Sequence, residues 1–235
     1  MKKILLSLLL LCGCHSVQVP DSFTYKEIET DTYKLASWQK ITNKTEPVRI
    51  YIEGDGYAFN HLGYPTTNPT PQGTFLREIA FNDPNPNVVY LSRVCQYVDD
   101  KRCTQKDWTT GRFSQEIVDA TGQAIKEISG KQPTILIGYS GGALLSGLVI
   151  EQNPKLPVKK WITIAGVLNH ASWTNYFDDA PLVDSVDLEK MPKVEQIHFV
   201  GEKDKTVPLE LAKKWSEVQV IQNATHDSGW DGLKF

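Results

Sequence analysis

Six stretches of the chain carry apolar residues in short, nearly unbroken runs: VRIYIEG (48–54), NVVYLS (87–92), TILIGY (134–139), WITIAG (161–166), EQIHFVG (195–201) and VQVIQ (218–222). They are rich in Val and Ile and bounded by Gly, Pro or Asn. Several lack the polar–apolar alternation of a half-exposed strand, as parallel strands covered on both faces do. Helical spacing appears between them. In 114–129, Ile117, Thr121, Ala124, Ile125 and Ile128 recur on one face, and Gly130 with Pro133 ends the run. Ser114 suits the N-cap, and Glu116 suits the positive end of the helix dipole. The segment 143–152 follows the third run directly and stops at Asn153-Pro154, while 208–216 opens on Pro208. Strands alternating with helices predict an α/β fold: a doubly wound, mostly parallel sheet with helices on both faces. In such sheets ligands bind beyond the C-terminal ends of the strands, so those loops are where chemistry is expected.

The N-terminus follows a different pattern. MKKILLSLLLLCGCHS pairs two lysines with an apolar stretch from 4 to 11. Eight residues span only about 12 Å as a helix, too short for a bilayer core of about 30 Å. A charged start and a short apolar run have the form of an export signal. Its end, Leu11-Cys12-Gly13-Cys14, resembles a bacterial lipoprotein box, in which the last Cys is acylated and becomes the new N-terminus; Cys12 is unusual at its place. An ordinary cleaved signal is the alternative. The resemblance implies a signal over 1–13, a tether over 14–33 and a folded domain over 34–235, lipid-anchored in the bacterial cell envelope and facing the periplasm. His15, where an Asp would suggest inner-membrane retention, favours the outer membrane. Loss of Lys2 and Lys3 takes the net charge from −3 to −5, and neither value predicts a nucleic-acid partner.

Export bears on the cysteines. Cys95 and Cys103 remain outside the signal, and a pair so spaced in an oxidising compartment predicts a disulfide. Neither a His nor a third Cys lies near them in sequence, so no metal site is expected, and no organic cofactor either. The length and a hydrophobic content of 40% suit one globular domain.

The loops at the strand ends carry the candidate chemistry. Gly138-Tyr139-Ser140-Gly141-Gly142 fits G-x-S-x-G, a match that chance gives in about one chain of this length in twelve. Its setting between a buried strand and a helix is what the chemistry requires: a serine on a tight turn, with a helix N-terminus at the developing oxyanion. Asp204, in GEKDKTVP, follows the run 195–201, and His226, in NATHDSGW, follows the last run. A serine nucleophile needs a base to take its proton, and the base needs an acid to fix its tautomer. His170 is a rival base that precedes Asp204 in the chain, and Asp178 and Asp179 are weaker rivals to Asp204.

On these residues the chain resembles the α/β-hydrolases over 45–232. The order Ser140, Asp204, His226 is that of the family. GEKDKTVP is similar to its acid loop and YIEGDG to its oxyanion loop, although Glu53-Gly54 stands where many lipases and esterases have His-Gly. The resemblance implies Ser140 as nucleophile, Asp204 as acid, His226 as base, and backbone N–H groups of Gly141 and Asp55 as oxyanion donors. It implies a serine hydrolase acting on a small or lipid-like carboxylic ester, with a peptidase or amidase as the runner-up. A non-catalytic envelope lipoprotein that binds a ligand or partner is the reading from another class. Tyr139, Trp108, Arg112 and His170 are possible pocket residues. Arg112 can hold a substrate carboxylate or phosphate, or pair with Asp107 or another acid; the structural pairing is favoured. The insertion 168–190 is too short for a large lid, so an open site is expected.

Overall fold

In the computed structural model, residues 18–231, 233 and 235 are described. The signal and Cys14 lie outside them. Eight strands form one sheet: β1 (Thr24–Glu29), β2 (Lys34–Ile41), β3 (Val48–Ile52), β4 (Asn87–Leu91), β5 (Thr134–Tyr139), β6 (Val158–Ile164), β7 (Glu195–Gly201) and β8 (Gln219–Ile221). Their order is β1-β2-β4-β3-β5-β6-β7-β8. β2 pairs antiparallel with β1 and β4, and the pairs from β4 through β8 are parallel.

The unbroken apolar runs have their explanation in two cores, one on each face. Ile50 and Ile52 of β3 and Leu136 of β5 point into one cluster with Ile117 and Leu144. Their neighbours Tyr51 and Ile137 point into the other, with Leu76 and Phe81. Both sides of each central strand are therefore dry, and neither demands a polar residue. Among the described residues five α-helices connect the strands: α1 (Phe75–Phe81), α2 (Gln115–Ser129), α3 (Gly141–Gln152), α4 (His170–Phe177) and α5 (Leu209–Ala212). Ser114 caps α2, its side chain accepting from the Ile117 N–H. Every residue of α3 from Gly141 to Ile150 is buried, so the helix behind the candidate nucleophile is a central packing element.

From β3 the chain crosses to β4 on one side, then returns past β3 to β5 on the other. The loops after β3 and β5 therefore diverge between adjacent strands, which opens a crevice at their C-terminal ends.

The sequence reading differs from the structure at the first strands. Residues 24–29, expected within the tether, are the edge strand β1, paired residue by residue with β2 from Thr24–Gln39 to Glu29–Lys34. Only Ile28 of β1 is buried, and its charged, exposed neighbours hide the strand pattern while discouraging further edge pairing. α1 and α4 were not expected, and the helix expected over 208–216 is the shorter α5.

Candidate active site

Ser140 stands between β5 and α3 with φ +50° and ψ −121°, a conformation that costs a non-glycine residue about 1–3 kcal/mol and persists only where its surroundings impose it. Those surroundings are visible. The Ser140 N–H donates to the Ile164 carbonyl at 3.1 Å, and its own carbonyl accepts from the Val167 N–H at 3.1 Å. A Cβ on Gly142 would lie 2.3 Å from the Ile52 carbonyl oxygen and 2.4 Å from that of Glu53. A Cβ on Gly138 would lie 2.5 Å from the Ala143 Cα. The glycines of the motif let the turn close against the end of β3.

The acid comes from the loop after β7. Asp204 is buried, and its Oδ1 accepts from the N–H groups of Thr206 at 2.8 Å and Val207 at 2.9 Å. Its Oδ2 lies 3.0 Å from His226 Nδ1, and His226 Nε2 lies 3.0 Å from Ser140 Oγ. An ionised carboxylate only accepts, so the proton belongs on Nδ1 and the Nε2 lone pair faces the serine hydroxyl. Tyr139 packs on the imidazole, with ring centroids 5.1 Å apart. The structure thus brings Ser140, His226 and Asp204 into one hydrogen-bonded line.

His170 has another arrangement. Its ring is buried, stacked on Phe113, with Nε2 3.6 Å from Asp187. Burial holds it below the usual histidine range against the opposing pull of Asp187. It lines the cleft, apart from the line of three. Trp108 does not line the cleft: it is buried, and its indole N–H donates to the Thr66 carbonyl at 3.2 Å. The Cys95–Cys103 disulfide is formed, with Cα atoms 5.7 Å apart.

The loop after β3 runs alongside the nucleophile. A Cβ on Gly54 would lie 3.1 Å from Ser140 Cβ. Glu53 is buried, accepting from the Gly54 N–H at 2.9 Å and from the Tyr90 hydroxyl; burial raises its carboxyl above the ordinary range despite these bonds. The Asp55 carboxylate takes Arg93 Nη1 on Oδ1 at 2.8 Å and has Arg112 Nε 3.3 Å from Oδ2. Burial would raise Asp55, but the two guanidiniums outweigh it and hold the acid below its usual range. Arg112 therefore pairs with an acid, and the acid is Asp55. Asp107 instead accepts from the Tyr33 hydroxyl and from Thr104. Arg93 was absent from the candidates, although it lies just past the end of β4, at the same sheet edge as the rest.

These elements surround an open cleft of about 690 Å³. Ser140 and His226 lie in its wall, with Phe75 and Tyr139, as well as Arg112 and Trp173.

Among solved structures, an α/β serine hydrolase without a lid from Xanthomonas campestris matches with a TM-score of 0.55 at 13% identity, over 88% of this chain and 87% of its own. A thioesterase domain from the curacin biosynthetic pathway matches with a TM-score of 0.54 at 12% identity, over 90% of this chain and 96% of its own. A thermophilic esterase matches with a TM-score of 0.54 at 15% identity, over 87% of this chain and 90% of its own. No family model and no curated protein matches the chain. The sheet order and these likenesses define the α/β-hydrolase fold.

Proposed function

We propose that the protein is a serine hydrolase that cleaves carboxylic esters through an acyl-enzyme on Ser140. The observation that carries this is the line Ser140–His226–Asp204, with both links at 3.0 Å. His226 takes the serine proton as Oγ attacks the acyl carbonyl, and Asp204 stabilises the imidazolium. The proton then passes to the departing alkoxide, and water repeats the sequence to release the acid. The oxyanion forms at the N-terminus of α3, where the Gly141 N–H is one donor and the Asp55 N–H the second. Known esterases and a thioesterase with this fold support an acyl-transfer reading, and the cleft favours a small substrate over a folded protein chain.

A fluorophosphonate probe tests the reading on the full chain, since it labels only an activated serine. Labelling at Ser140, with loss of nitrophenyl ester turnover in Ser140→Ala, is expected. An unlabelled wild-type chain whose slow turnover survives Ser140→Ala would favour the binding lipoprotein instead. Turnover of matched anilides at rates comparable to esters would favour an amidase.

We further propose export and lipid anchoring at Cys14, facing the periplasm; the disulfide suits that compartment. Cys14→Ser should release the protein from membranes, and unchanged fractionation would overturn the anchor.

A further inference from the structure

Two arginines meet one carboxylate beside the nucleophile. Arg93 and Arg112 are both buried, and Asp55 is the acid paired with each. Asp55 Oδ1 itself lies 2.1 Å from where a Cβ on Gly141 would sit, so the cluster touches the residue after Ser140. Arg93 is held through Nη1 by Asp55 and through Nη2 by the Arg112 carbonyl, and its guanidinium stacks on Phe113 at 4.8 Å, although its Nε is buried without a hydrogen-bond partner. Arg112 has fewer partners. Its side chain is 9% exposed, its Nε is buried with no hydrogen bond of good geometry, and the 3.3 Å contact to Asp55 is its ion pair. It nonetheless lines the cleft, with its guanidinium carbon 6.0 Å from the Phe59 ring and 6.0 Å from the Trp173 ring.

The charges do not balance locally. Two guanidiniums pair with one carboxylate, and among the described residues none of the other acids lining the cleft, Glu53, Glu78 and Asp227, is ion-paired with either arginine. Glu53 accepts from Gly54 and Tyr90, and Glu78 accepts from the Thr74 hydroxyl at 2.6 Å. A buried positive charge without a full set of acceptors is costly, and a planar guanidinium is matched by a bidentate oxyanion.

We propose that Arg112 is a specificity residue that binds an anionic group of the substrate, a carboxylate or a phosphate, in the slot between Phe59 and Trp173. This rests on the serine hydrolase reading above. The preferred substrates are then esters with a negative charge on one side of the scissile bond.

Two matched ester pairs test this on the full chain. Nitrophenyl hemiglutarate against nitrophenyl valerate places the charge on the acyl side. The butyrate ester of 4-hydroxybenzoate against that of 4-hydroxybenzamide places it on the alcohol side. The wild type is expected to have a kcat/KM about ten- to a hundredfold higher for the anionic member of one pair, as charge-assisted hydrogen bonds allow. Arg112→Gln should bring that ratio close to one, and Arg112→Lys should keep part of it. On the wild type, competition by glutarate or by phenyl phosphate against a neutral ester distinguishes a carboxylate slot from a phosphate slot without any substitution. Equal kcat/KM within both pairs, together with no competition by either anion, would overturn the proposal. So would an anionic preference that survives Arg112→Gln. If the fluorophosphonate fails to label the wild type, the hydrolase reading falls. A rise in the unfolding temperature of Ser140→Ala on adding glutarate or phenyl phosphate, absent in Ser140→Ala/Arg112→Gln, would then still support the anion slot.

Discussion

Replacing Asp204 by asparagine should switch the imidazole of His226 to the wrong tautomer while leaving it in place. Asp204 Oδ1 accepts two backbone N–H groups, from Thr206 at 2.8 Å and Val207 at 2.9 Å. An asparagine at 204 keeps both bonds only if its carbonyl oxygen takes the Oδ1 position, which turns its NH₂ toward His226 Nδ1. The flipped amide would set its NH₂ against both N–H groups. At about 1–3 kcal/mol for each buried donor left unsatisfied, the flipped form is populated to at most about one part in thirty. With NH₂ facing it, Nδ1 must be the acceptor, so the proton moves to Nε2 and the serine hydroxyl loses its base. The expected fall in kcat is at least about thirtyfold and nearer 10⁴, or about 5.5 kcal/mol in the barrier. Initial rates on a nitrophenyl ester and the rate constant of fluorophosphonate labelling measure it, with near-UV circular dichroism as the check on folding. A loss of less than about tenfold in a folded variant would refute the tautomer argument.

Other substitutions probe the frame around this line. Gly142→Ala should destabilise the protein by about 3 kcal/mol or more, lowering Tm by at least about 6 °C in a thermal melt, because its Cβ has no room beside the carbonyls of Ile52 and Glu53. Replacing Cys95 and Cys103 together by alanine should cost about 2.5 kcal/mol in a urea titration, the loop-closure value for so short a ring. Glu53→Gln should change the pH dependence of stability. Burial raises the Glu53 carboxyl, so the native state keeps its proton to higher pH than the unfolded chain, and wild-type stability declines as pH rises from about 4.3 through the native value. The stability difference should therefore shift toward the glutamine variant as pH rises across that window; a difference independent of pH would show that Glu53 is not held in that way.

The legible parts of the fold were those with buried, one-signal sequences. β5 and β7 have the bounds their apolar runs predict, and the cap Ser114 marks the start of α2. The three residues of the line were legible because each follows a different strand at one sheet edge, a rule of topology that needs no coordinates. β1 was not, because TYKEIE at a sheet edge exposes all but Ile28 and resembles a polar linker. α4 was hidden by its mixed surface, HASWTNYF, in which only His170 and Thr174 are buried. Trp108 was misplaced for a different reason: proximity to Arg112 in sequence says nothing about which side of the loop faces the cleft, and its indole turns inward to Thr66. The Arg93–Asp55–Arg112 cluster joins loops after β3 and β4, and no periodicity encodes such a meeting.

The disulfide has a consequence for that cluster. Arg93 lies just before Cys95 and Arg112 beyond Cys103, so the crosslink shortens the connector between two groups that repel each other. The crosslink therefore lowers the chain entropy given up in holding the two guanidiniums beside one carboxylate. Their mutual repulsion is then part of the free energy of the folded protein, and the anion proposed for Arg112 would relieve it instead of having to assemble the pair. A receptor organised in advance binds with less loss of chain entropy. In a chain whose crosslink is reduced, the loss should therefore appear first in selectivity between charged and neutral ligands, and only later in unfolding.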